Sequence, residues 1–242
     1  MKSLYSVNRQ FKFGSFIYDY NLLRQDRKTL SLTVTPDLNI CVKTPNNADD
    51  ERIELFLRRK WLWLEKQLKF FGKYKRKKYQ REYISGESFH YLGRQHRLIV
   101  KNGSENKVAF IRGILSVLTI GLVSDGEYNK ALIEMWIEER ISKIFNERFE
   151  VVKKRFDYKK MPKLGIREMK RRWGSFLNKK KVLLNPKLIH MPKDCIDYVI
   201  THELCHMRYK NHDKKFFALL YEKYPKWQKT KEKLEEIGAL IL

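Results

Sequence analysis

The amino-acid sequence predicts an α+β fold. A β-rich N-terminal region with one long helix, residues 1–125, precedes a mainly helical region, residues 126–242, whose central helix packs against a small β-sheet. Three observations carry this reading. Alternating apolar runs recur between residues 28 and 123, and helical spacings of three and four take over after Tyr128. Apolar residues make up 43% of the 242, enough for a packed core. The boundary is placed near residue 125, at SDGEY.

Element by element, Leu30, Leu32 and Val34 alternate, as do Leu38, Ile40 and Val42 after a break at Pro36-Asp37. That is the period of a half-buried hairpin. Asp49 and Asp50 then open a long helix on which Ile53, Leu57, Trp61 and Leu64 share a face, flanked by Phe56 and Leu68. Strands resume over 83–123, punctuated by Gly86 and Gly93, and Arg112-Gly113 separates VAFI from ILSVLTI as a hairpin turn. From Tyr128 to about Arg155 the pattern is helical, with Leu132, Met135, Trp136, Ile141, Ile144, Phe145 and Phe149 on the apolar face. WGSFL and VLLN flank Asn178 as a second hairpin. Pro192 and Asp194 start the next helix, and two more follow, split at Pro225, the last carrying Trp227, Leu234, Ile237 and Leu240.

Charge is the unusual part of the composition. Fifty-two Lys and Arg face 28 Asp and Glu, a net charge of +24, which favours polyanionic partners such as nucleic acid or nucleotides. Residues 58–81 hold eleven Lys and Arg against one acid, with Trp61, Trp63, Phe70, Phe71, Tyr74 and Tyr79 among them; residues 153–181 hold thirteen against two. In the first stretch, the aromatics around Trp61 read as core residues of a helix with a solvated basic face, whereas KYKRKKYQR is a candidate contact for phosphates and bases. Three cysteines, Cys41, Cys195 and Cys205, without a CxxC pair, exclude a disulfide framework and point to a reducing compartment. The longest apolar run, Ile114 to Val123, is about half a membrane span, so a cytoplasmic protein without membrane contact is expected.

The chemistry is concentrated in CIDYVITHELCHMRYKNHDKKFF, which contains HELCH, an instance of HExxH. At about 100° per residue, His202 and His206 lie about 40° apart around a helix and one turn apart along it, so both imidazoles can reach one cation. Glu203, one step round, is placed to hold a metal-bound water. Ile196, Ile200, Leu204 and Met207 form a core face, while Cys195, Tyr198, Val199 and Tyr209 share the histidine side, which is expected to line a cleft. An open zinc site takes three protein ligands and one water. His212, six residues after His206, is the preferred third ligand, with Asn211 tolerating a left-handed turn before it; the rivals are Glu222, Glu232, Glu235 and Glu236. Metal-free roles are expected for His90, His96 and His190, and a buried thiol for Cys205.

The strings REMKRRWGSF, NPKLIHMPKDCIDYVITHELCHMRYKNHDKKFF and, weakly, GESFHYLGRQHRLIV make the chain similar to the YgjP-like zinc metallopeptidases, relatives of the SprT-like proteases. The family's pattern is present as Arg172 to Ser175, Pro192, Asp197 to Val199, His202 to His206 and Asn211-His212. Phe176 departs from it, standing where many relatives carry cysteine. The resemblance implies a zincin-like catalytic part, Zn2+ on His202, His206 and His212, Glu203 as the catalytic residue, and a peptide or protein substrate. HExxHx5H also occurs in metzincins, but Tyr209 stands where those carry glycine and no methionine follows Met207. Two other readings use the same zinc site: hydrolysis of nucleotides or other phosphate esters, and nucleic-acid-associated proteolysis of the SprT kind.

Overall fold

The computed structural model describes residues 6–35, 37–73, 81–170, 172–178 and 180–241. The chain divides into two compact units, residues 1–77 and 78–241.

In the first unit, β1 (Ser6–Phe13) and β2 (Phe16–Gln25) form an antiparallel hairpin across Gly14, whose φ of +58 suits a residue without a Cβ. The sheet continues through β4 (Ile40–Pro45), parallel to β2, to β3 (Ser31–Val34), antiparallel to β4. The expected pairing of the 28–45 runs is thus present, with Val34 opposite Ile40; Pro36 lies outside the described residues. Helix α1 (Asp50–Lys73) buries Ile53, Leu57 and Leu64 with Tyr18, Tyr20, Leu22 and Val42. Trp61 belongs to this core too: it stacks on Phe13 at 4.4 Å and its Nε1–H donates to the Tyr18 hydroxyl at 2.9 Å. The most basic part of the neighbouring stretch, residues 74–80, lies outside the described residues.

The second unit opens with a four-stranded sheet made of β5 (Ser88–Tyr91), β6 (Arg94–Asn102), β7 (Lys107–Ile111) and β8 (Ile114–Thr119), ordered β5-β6-β8-β7. Both of its hairpins turn on two residues with positive φ, Leu92-Gly93 and Arg112-Gly113, the conformation that matches strand twist. Helix α2 (Gly126–Lys153), capped by the Asp125 carboxylate accepting from the Tyr128 N–H, follows. A three-stranded sheet, ordered β10-β11-β9, comprises β9 (Lys163–Ile166), β10 (Gly174–Leu177) and β11 (Lys181–Leu184). A short 3-10 helix, Pro186–His190, leads into α3 (Lys193–Cys205), and α4 (Lys214–Lys223) and α5 (Trp227–Ile241) complete the unit.

The α+β reading holds, with five α-helices and three sheets among the described residues. The boundary does not fall at residue 125. Phe89, Tyr91, Leu98, Val100, Leu115 and Val117 of the first sheet share one core with Ile133 and Phe145 of α2 and Ile196 and Ile200 of α3. A sheet whose apolar face is buried by later helices cannot form a separate layer with the N-terminal unit. The β5–β6 turn is also tied to the approach to α3, since the Leu92 and Gly93 N–H groups donate to the Ile189 and His190 carbonyls.

Candidate metal centre

Helix α3 is buried almost all round, where the sequence pattern suggested one buried face. Ile196, Ile200 and Leu204 are in the core as expected, but Cys195, Tyr198, Val199 and Cys205 are buried too, because α2, α4, α5 and the β10–β11 hairpin all pack on this helix. Its Asp197 carboxylate accepts two bonds from the Arg148 guanidinium of α2, at 2.7 and 2.6 Å, which fixes the helix against α2. The Cys205 thiol is inert, its pKa pushed up to about 12 by burial.

His202 is on the last turn of α3 and His206 is its C-cap. The chain then turns without using the left-handed conformation that Asn211 would tolerate; among the described non-glycine residues, the positive φ values fall at Leu38, Tyr83, Leu92, Arg112 and Asn178. The turn is closed instead by the Met207, Arg208 and Tyr209 N–H groups donating to Leu204 and Cys205 carbonyls. His212 directly precedes Asp213, which caps α4 by accepting from the Phe216 N–H at 2.9 Å.

These segments bring His202, His206 and His212 together, one ring nitrogen of each lying within 4.8 Å of the others. The Nε2 atoms of His202 and His212 are 2.9 Å apart. The His206 Nδ1 lies 3.0 Å from the Tyr209 carbonyl oxygen, a partner that accepts only, so Nδ1 carries the proton and the Nε2 lone pair is free. Phe216, fully buried, lies 4.6 to 5.0 Å from all three rings and forms the floor of the cluster. Three imidazoles whose ring nitrogens converge in this way fit a borderline-soft divalent cation. One feature is incomplete: the buried His202 Nδ1 has no partner among the described residues. Burial and the neighbouring histidines push the His202 pKa down to about 3, so the ring stays neutral and available as a ligand.

Among the described residues no carboxylate joins this cluster, so the rival third ligands Glu222, Glu232, Glu235 and Glu236 are not part of it; Glu235 lines the cleft in front of it. His90 and His96 stand on the first sheet of this unit, and the His190 Nδ1 is bonded to the His90 carbonyl at 2.8 Å.

Glu203 is 7% exposed, and burial raises its carboxyl to about 7 in spite of the nearby Arg172 charge and a hydrogen bond from the Phe176 backbone N–H. The glycine of the RWGS string has a direct reason here. A Cβ on Gly174 would lie 2.7 Å from Val199 Cγ1 and 2.8 Å from Glu203 Oε1, so only glycine lets β10 approach α3 this closely. The preceding loop is held by fully buried Asn185, whose side-chain amide donates to the Met169 and Arg172 carbonyls. In front of these groups lies a cleft of about 970 Å³, walled by β10, α3, the 207–212 loop and α5. Sequence reasoning marks Arg172 and Gly174 only as members of the RWGS string, without the contacts they make here, and gives Phe216 no role; its place four residues after His212 is the available signal.

Comparison with known proteins gives the class first: the chain is a metallopeptidase. More particularly, it belongs to the YgjP-like family, whose metallopeptidase domain matches residues 28–237. Among solved structures it is similar to the metallopeptidase zymogen of Pyrococcus abyssi abylysin, with 23% identity over 38% of this chain and 90% of that one and a TM-score of 0.34. It is also similar to the zymogen of Methanocaldococcus jannaschii jannalysin, with 28% identity over 42% and 97% and a TM-score of 0.32. No curated protein matches the chain.

Proposed function

We propose that the protein is a zinc peptidase of zincin type, in which His202, His206 and His212 hold the metal and Glu203 is the general base. The observation that carries this is the convergence of three imidazole nitrogens within 4.8 Å, with the buried carboxylate of Glu203 lining the same cleft from the same helix. Zinc held by these three histidines would supply Lewis acidity, making water acidic enough to attack near neutral pH and polarising a substrate carbonyl.

The protein's own part follows from its side chains. His206, oriented by the Tyr209 carbonyl, presents Nε2 in the required tautomer. Glu203 accepts the proton of the attacking water and returns it to the leaving amine, a shuttle suited to a carboxyl near 7. Strand β10 is an edge of its sheet and lines the cleft, so its outer backbone groups can pair with an extended peptide.

Glu203→Gln tests this reading. Peptide cleavage is expected to vanish while the protein retains about one zinc per chain; cleavage surviving in that variant would refute Glu203 as the base, and a wild-type protein that binds no zinc would refute the site.

A further inference from the structure

The charge lining the cleft is lopsided. Apart from Glu203, it carries Arg172 ahead of β10, Arg208 and Lys210 in the loop after α3, and Lys231 on α5, against the single carboxylate of Glu235. All four cations are exposed. Arg172, Arg208 and Lys210 have no carboxylate within ion-pair distance among the described residues. Elsewhere cations are held: Arg58 by Glu54, Arg148 by Asp197, Lys193 by Glu147. Lys231 does meet Glu235, at 3.7 Å with both about half exposed, a weak, solvent-screened pair that a substrate carboxylate can displace.

Arg172 and Lys231 share the lining of the cleft with His202, His212 and Glu203. Lys231 lies on α5 and Arg172 just ahead of β10, so basic side chains enter the cleft lining from two separate elements. A positively lined, partly desolvated cleft concentrates anionic ligands and repels cationic ones.

We infer that the cleft selects acidic peptides, cleaving bonds flanked by Asp or Glu, with Arg172, Arg208, Lys210 and Lys231 reading the charge. This specificity rests on the peptidase reading above and deepens it. Lysine- and arginine-rich segments are excluded by the same surface.

The test uses the full-length zinc-loaded protein and one quenched-fluorescent peptide scaffold with Asp, Asn or Lys on both sides of the scissile bond. The Asp peptide should be cleaved with roughly tenfold higher kcat/KM than its near-isosteric Asn counterpart at low salt, and the Lys peptide more slowly than either. About 0.5 M salt should compress these ratios, since the charges are exposed. Lys231→Glu and Arg172→Glu should each lower the Asp-to-Asn ratio, with most of the change in KM. Equal cleavage of the Asp and Asn peptides, or a ratio indifferent to both charge reversals, overturns the acidic specificity and leaves the peptidase intact. Zinc-bound protein that cleaves none of the three, or that instead releases phosphate from a nucleoside triphosphate in a Glu203-dependent way, overturns both.

Discussion

Replacing Gly174 by alanine isolates the fit between β10 and α3. The backbone at this position is ordinary extended strand, so alanine suffers no conformational penalty and the whole effect comes from contact. The new Cβ would lie 2.7 Å from Val199 Cγ1, 2.8 Å from Glu203 Oε1 and 2.9 Å from Glu203 Cγ, well inside van der Waals separation. Neither neighbour is a free chain end: Val199 is 4% exposed and Glu203 7%. The strand or the carboxylate must therefore move by several tenths of an ångström. Overpacking of this kind costs about 1–3 kcal/mol, roughly 3–10 °C in melting temperature for a unit of this size. Displacement of a general base by about 1 Å costs on the order of 100-fold in rate. The assay pairs thermal unfolding with kcat/KM on a fixed peptide, at matched zinc content. Gly174→Ala should lose activity far more than its fall in stability explains, with zinc retained, because the atoms nearest the new Cβ belong to Val199 and Glu203 and not to the histidines. A variant with wild-type melting temperature and wild-type kcat/KM would refute the steric account.

Three further outcomes follow. Phe216→Ala removes the ring under all three imidazoles and should destabilise the fold by about 3–5 kcal/mol while weakening zinc retention, read by urea unfolding and competition with a chelator. Asp197→Asn strips the buried partner from Arg148 and should cost about 3 kcal/mol with zinc stoichiometry unchanged; an unfolding midpoint equal to wild type would show that the pair does not hold α3. In metal-free protein His202 and Glu203 pull the pH dependence of stability in opposite directions. The His202 pKa is lowered to about 3 in the fold, so between about 3 and the ordinary histidine value near 6.5 the unfolded chain binds the extra proton and the histidine's contribution to stability rises with pH, by at most about 5 kcal/mol across the window, whereas the Glu203 carboxyl, raised to about 7, contributes stability that is lost as pH rises through about 7. Urea midpoints at pH 7 and 5 for wild type and His202→Asn isolate the histidine's share: the variant should lose less stability, or gain more, than wild type on going to pH 5, and equal changes in the two proteins would refute it.

Periodicity made much of the fold legible, because period-2 and period-3.6 apolar patterns follow from local backbone geometry. It disclosed the β3–β4 pairing, α1, the Arg112-Gly113 hairpin, α2 and the split at Pro225. The β1–β2 hairpin escaped notice although Tyr18, Tyr20 and Leu22 alternate on its buried face, since the aromatic and polar residues around them dilute the signal. β9 escaped for a different reason: four residues paired in parallel to β11, distant in sequence, leave no local mark.

For the site, HExxH could be read directly, because a helical turn fixes His202 and His206 on one face whatever surrounds them. Which residue outside the helix would complete the cluster was open between His212 and several glutamates, and a loop's path depends on what it packs against. Only the tertiary structure brought His212 over Phe216, closed the turn without a left-handed Asn211, and attached residues 78–125 to the C-terminal unit. The burial of Glu203 likewise belongs to packing, since its neighbour Gly174 is far off in sequence and close only because β10 lies against α3. Local spacing decides what a segment can form; the partners it buries against decide where its ends go and which of its charges lose their water.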